Sequence, residues 1–156
     1  KQGLLYVANQ NSQILVLTPE GKLIRTFGSA GSSEGSFSYP RGIAVDDEKI
    51  YVADTNNLRV EIFSKEGKLL QVADKSKIKT WMPAGIAVSP AGNIYLVDTF
   101  GGRVNVFDNN FNFIYDFAQK GTDKGQVNFP IGITLDQYGK VFIADTSNNR
   151  IAVFQR

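Results

Sequence analysis

The chain contains no cysteine and no histidine. The first absence removes disulfides, thiolate metal centres and cysteine nucleophiles, and it fits reducing and oxidising compartments alike. The second removes the commonest general base and the commonest zinc ligand. No apolar run approaches the ~20 residues that a membrane-spanning helix needs, and the opening KQGLLYVANQ has no signal-peptide pattern. Lys and Arg number 17 against 15 Asp and Glu, interspersed without blocks, so the net charge of +2 gives no general case for nucleic acid or a membrane surface. No segment shows a helical period with caps. No G-x-S-x-G elbow or phosphate loop is present. The 42% apolar and 21% charged content is nonetheless that of a folded chain.

What is present is repetition. IYVADTNNLRVEIF at 50–63 returns as IYLVDTFGGRVNVF at 94–107 and VFIADTSNNRIAVF at 141–154, with a worn copy, LYVANQNSQILVL, at 5–17. Each good copy follows a second block: PRGIAVD at 40–46, PAGIAVS at 83–89 and PIGITLD at 130–136. Asp54, Asp98 and Asp145 are separated by 44 and 47 residues, a period that belongs to propellers, solenoids or arrays. Within a repeat, large apolar residues sit at alternate positions, β-branched and aromatic types dominate, and Gly or Asn/Asp clusters bound the runs. This predicts four short strands, a to d, at 42–45, 49–53, 59–63 and 69–73, paired antiparallel as a meander. The next repeat gives four more and the last gives three. The opening copy also gives three, at 4–8, 13–17 and 23–27. Gly42 and Ala44 allow close approach of neighbouring backbones. Tyr39, Met82 and Phe129, each just before a proline, are expected to plug the gaps between sheets.

The combination P-x-G-I-A-V-D, I-Y-V-A-D-T-x-N-x-R-V-x-V-F and G-K-L resembles the NHL repeat. The resemblance covers nearly the whole chain. It implies an all-β fold, a β-propeller of four-stranded antiparallel blades with an incomplete ring: a partial blade at 1–27, blades at 40–73 and 83–118, and a partial blade at 130–156. Propellers typically have 4–8 blades. The expectation is that further blades belong to a longer chain. The alternative is closure by another subunit, whose 23–27 strand would supply the missing outer strand of the last blade. Departures from the family pattern are Asn9 for Asp, Gln13 for Arg, Gly101 for Asn, and a link at 74–83 that lacks the glycines of GSAGSSEGSFSYP and QKGTDKGQVNFP.

The repeated loop residues Asp54, Asn57, Arg59, Asp98, Arg103, Asp145, Asn148 and Arg150 are read as structural, because a binding site needs different groups from different blades. Asp and Asn hydrogen-bond nearby backbone in tight turns, and Arg bridges to carboxylates. Non-repeating residues on the face shared by links d–a and loops b–c are the binding candidates: Tyr39, Arg41, Lys79, Trp81, Phe100 and Lys124. Trp, Tyr and Arg are enriched at binding hot spots. No catalytic and no metal-binding residue is assigned. The resemblance implies a non-catalytic scaffold that binds protein or peptide, in an extracytoplasmic setting. RNA binding is the first alternative. A calcium-dependent hydrolase or lyase is the second, with Asp46, Asp54, Asp98, Asp136 and Asp145 as oxygen donors. No cofactor is expected.

Overall fold

The computed structural model describes residues 3–9 and 11–155. Lys1, Gln2, Gln10 and Arg156, which the repeat boundaries above include, lie outside the described residues. Strands β1 (Leu5–Asn9), β2 (Gln13–Leu17) and β3 (Leu23–Phe27) form a three-stranded antiparallel sheet. A four-stranded sheet follows, of β4 (Pro40–Val45), β5 (Lys49–Asp54), β6 (Arg59–Ser64) and β7 (Leu69–Ala73). After a short helix α1 (Lys75–Ile78) comes a second four-stranded sheet, β8 (Pro83–Val88), β9 (Ile94–Asp98), β10 (Arg103–Phe107) and β11 (Phe113–Phe117). A two-residue parallel pair, β12 (Gln119–Lys120) and β13 (Gln126–Val127), then precedes the three-stranded sheet β14 (Pro130–Leu135), β15 (Val141–Asp145) and β16 (Arg150–Phe154). These are propeller blades in sequence order, all β, and they do not close a ring among the described residues.

The strand sequences look almost continuously apolar because each middle strand serves two interfaces. On β5, Ile50 and Val52 pack toward the first blade, with Ile14, Phe37 and Phe63, whereas Tyr51 and Ala53 pack toward the third, with Ile86, Ile94 and Leu96. On β9, Ile94 and Leu96 face the second blade, and Tyr95 and Val97 face Val141 and Ile143 of the fourth. Alternation at period two divides one strand between two cores. Blade stacking is therefore where the apolar area is buried, at about 25 cal/mol per Å².

The inner strands approach closely, and glycine is required for it. A Cβ on Gly42 would collide with the Ala84 carbonyl oxygen, and one on Gly85 with that of Ile131. Each inner strand opens on a proline, and the pairing slips between Pro40 and Gly42, Pro83 and Ile86, and Pro130 and Ile133. A proline lacks the N–H that a regular ladder would use, and the irregularity accommodates it.

Two expectations need correction. Tyr39 and Phe129 do not plug the gaps between blades; both are exposed. The buried plugs are Phe37, Ile78 and Val127, one from each link. Tyr39 (φ 56°) and Phe129 (φ 49°) hold left-handed backbone, which turns the side chain outward just before the proline. Met82 is partly buried. The 74–83 link also contains a helix where none was expected. Four residues are too few to show a period, but Asp74 caps it through its carboxylate to the Ser76 and Lys77 amides, and Lys79 ends it at φ 47°.

Candidate functional site

Loops b–c and links d–a meet on one face, and the repeated motif builds their junction. In the second blade Asp54 is fully buried and accepts from the Ser38 amide (2.7 Å), the Asn57 amide group (2.7 Å) and Arg59 Nε (3.0 Å). Asn57 donates onward to the Gly31 carbonyl (2.9 Å). Arg59 spends its remaining donors on the carbonyls of Ser32, Ser33 and Ser36, at 2.7–2.8 Å. The fourth blade repeats this with other residues. Asp145 accepts from Asn148 and Arg150, and Arg150 donates to the carbonyls of Thr122, Asp123 and Gln126. Partners in the network around Asp145 hold its carboxyl below the usual range against the cost of burial. Thr55 and Thr99 link blades directly, donating to the carbonyls of Pro83 and Pro130 (2.8 Å each).

The third blade departs from this scheme. Gly101 stands where Asn57 and Asn148 stand, so the side-chain donor to Asp98 is missing, while the backbone amides of Trp81, Met82 and Gly101 all donate to Asp98 Oδ1. The link that would cage the arginine is helical, and the amides of Lys77, Ile78 and Lys79 consume the carbonyls of Asp74 and Lys75. The Ile78 carbonyl and Thr80 Oγ1 accept from Asn105 instead. Arg103 therefore has no carbonyl cage. Its Nη1 lies 3.4 Å from Asp116 and its Nε 3.7 Å from Asp98. Arg103 Nε and Asp98 Oδ2 are both buried atoms without a hydrogen-bond partner. The Arg103 side chain is 36% exposed, as is that of caged Arg150, against 10% for Arg59, so the third copy differs in its partners rather than in its exposure. Arg103 opens on a cleft of about 620 Å³, whose other walls include Lys120, Lys124 and Asp116.

The proposed binding residues distribute over this same face. Trp81 is 73% exposed and borders a smaller recess with Lys75 and Lys79. Phe100 is half exposed and meets Phe129 edge-on at 5.4 Å. Arg41 lies over the Tyr39 ring at 4.9 Å. Lys124 belongs to the Arg103 cleft, away from the recess beside Trp81. Sequence places Lys120 on this face but does not single out Asp116. The signal for Asp116 is the pair of departures in the third copy, since a lost cage frees an arginine toward whatever lies beside it.

The opposite end of the channel is a wide funnel of a–b turns, bordered by Asp46, Asp47, Glu48 and Asp136. Asp46 and Asp136 are committed to their own turns, accepting from the amides of Glu48 and Lys49 and of Tyr138 and Lys140. No group of three or more acidic side chains that could hold a metal ion occurs among the described residues. Glu61 is buried inside the second blade's junction, 2.6 Å from Arg59. Burial pushes its carboxyl up to about 7.

The geometry now has counterparts. The model of the NHL repeat matches residues 37–63 and 127–154, which span the second and fourth copies of the motif. The chain carries NHL repeats. Protein brain tumor of Drosophila melanogaster is 37% identical over 75 residues, covering 43% of this NHL chain and 7% of that protein. Human NHL repeat-containing protein 2 is 33% identical over 84 residues, covering 46% of the chain and 12% of that protein. The chain thus spans a small part of the curated relatives it matches. Among solved structures, a streptogramin B lyase superposes with a TM-score of 0.69 at 19% identity, covering 96% of this chain and 46% of that one. The WD40 propeller domain of Doa1 gives 0.68 at 16% identity, covering 99% and 47%. At such identities the likeness establishes the propeller fold alone. No helix is long and apolar enough to cross a membrane among the described residues.

Proposed function

We propose that the chain is a non-catalytic binding module whose link-side face holds a protein or peptide partner. The observation that carries this reading is the conformation of Tyr39 and Phe129. Both are large, exposed and held at positive φ, where glycine would cost less. Strained backbone that presents an aromatic ring to water gains nothing for the core. It does supply rigid contact area of the kind that dominates protein interfaces. Trp81, Phe100 and Arg41 extend the same surface. Glu34, Asp74, Asp116 and Asp123 interrupt its lysines, which weighs against a continuous track for a nucleic-acid backbone.

The test uses peptides selected from a random display library against the full chain. Trp81→Ala and Phe100→Ala should each weaken the selected peptides about tenfold or more, with melting temperatures unchanged. Tyr39→Gly should weaken binding while raising the melting temperature. Variants that keep full peptide affinity would refute the reading. Tighter, steeply salt-dependent capture of oligouridine RNA by the same face would replace the peptide with RNA.

A further inference from the structure

We propose that the cleft beside Arg103 anchors an acidic side chain, aspartate or glutamate, of the partner peptide. This deepens the reading above and rests on the link-side face being the partner-binding one. The repeats supply an internal control. One arginine position occurs three times, and in two copies the guanidinium is saturated by an aspartate and three backbone carbonyls. In the third copy the link is helical, its own amides take the Asp74 and Lys75 carbonyls, and Gly101 brings no side-chain amide. What remains, among the described residues, is an arginine with one long hydrogen bond to exposed Asp116 and an ion-pair distance of 3.7 Å to Asp98.

The surroundings fit a carboxylate. A planar guanidinium fork matches a carboxylate bidentately. Lys120 and Lys124 border the same cleft and have no ion-pair partner among the described residues. Asp116 occupies the arginine only at 3.4 Å and is itself 45% exposed, so it can swing to solvent when a ligand carboxylate arrives. Gln126 and the Gly125 backbone in the same wall offer amide partners to a peptide main chain. A run of phosphates fits less well. A nucleic acid would also need stacking partners for its bases, and Phe117, the aromatic residue in the wall, is buried and offers no stacking platform.

The probe is a fluorescein-labelled octaglutamate peptide, titrated by anisotropy against the full chain at low ionic strength. Arg103→Ala should weaken it about tenfold, the worth of one charge-assisted contact, and Arg103→Lys should recover only part of that. Lys22→Ala with Lys68→Ala, both exposed and outside the link-side face, should change affinity less than about twofold. Arg103→Ala should melt within about 2 °C of wild type, because the pair with exposed Asp116 is worth little and buried Asp98 keeps three backbone amides. The proposal is overturned if Arg103→Ala leaves affinity unchanged, if the Lys22/Lys68 variant loses as much, or if oligouridine binds more tightly than octaglutamate through Arg103. Library peptides that still require Trp81 while octaglutamate ignores Arg103 would sink the cleft and leave the face standing. Dependence on Arg103 with indifference to Trp81 and Phe100 would support the cleft and sink the aromatic reading.

Discussion

Truncating Arg59 and Arg103 to alanine removes the same motif residue from adjacent blades, yet the two costs should differ severalfold. Arg59 sits beside two fully buried carboxylates, Asp54 and Glu61, and holds three carbonyls of the first link. Its removal leaves buried charge without a partner, a change that typically costs about 3–5 kcal/mol. Glu61 can take up a proton and Asp54 keeps its bonds from Ser38 and Asn57, so the lower end, about 3 kcal/mol, is expected. Arg103 makes one long, exposed pair worth about 0–1 kcal/mol, and lies 3.7 Å from buried Asp98, which keeps the amides of Trp81, Met82 and Gly101 when the arginine is removed. Since about 1 kcal/mol moves the midpoint of a domain this size by roughly 2–4 °C, Arg59→Ala should melt on the order of 10 °C lower and Arg103→Ala almost at wild type. Thermal and urea unfolding of the full chain, followed by circular dichroism, would measure both. Equal losses would mean that the carbonyl cage contributes little and that the contrast between blades has no energetic content.

Gly42→Ala should destabilise by about 1–3 kcal/mol or more, because the new Cβ meets backbone rather than a movable side chain; an unchanged urea midpoint would show that the inner strands can slide apart. Thr55→Val removes the hydroxyl that donates to Pro83, and about 1 kcal/mol should be lost, whereas Thr146→Val, whose exposed hydroxyl reaches only Ala144 at 3.4 Å, should lose almost nothing. Glu61 sets a pH dependence. Its carboxyl is raised from 4.5 to about 7 by burial, so its contribution is complete below about pH 4.5 and declines as pH rises through 7. With no histidine to titrate in that window, Glu61→Gln should flatten the fall in urea midpoint between pH 5 and 8, and an identical slope in both proteins would count against a shifted Glu61.

The fold was legible because repetition restates each local choice three or four times. The strand periods, the glycines of the inner strands and the prolines that open them agree with one another in every copy. The plugs were misplaced for a definite reason. Alternation puts Phe37 and Tyr39 on one side of an extended strand, and nothing in the residues announces that Tyr39 takes left-handed backbone and turns away. The α1 helix was hidden by its length. Loop exposure was hidden too, since Trp81 is equally consistent with a buried plug until the position of Ile78 beneath the link is known. The candidate site was half visible. Gly101 and the glycine-poor link were evident as departures, but what they released depended on which carbonyls a helical turn consumes.

That dependence gives a general way to separate scaffold from site in a repeat protein. A residue that recurs with the same partners in every copy answers a need of the fold. A residue that recurs but has lost its partners in one copy carries the same chemistry without the same employment. Arg59, Arg103 and Arg150 form such a series, as do Glu61, Asn105 and Ala152 on the neighbouring strand position. There Glu61 accepts from the Gly35 amide and Asn105 donates to Thr80, while Ala152 brings no polar group. Glu61 and Asn105 each match their own link. Arg103 is the member whose link has moved away from it, which is why the third blade, rather than the better-preserved second and fourth, is where a ligand should be sought.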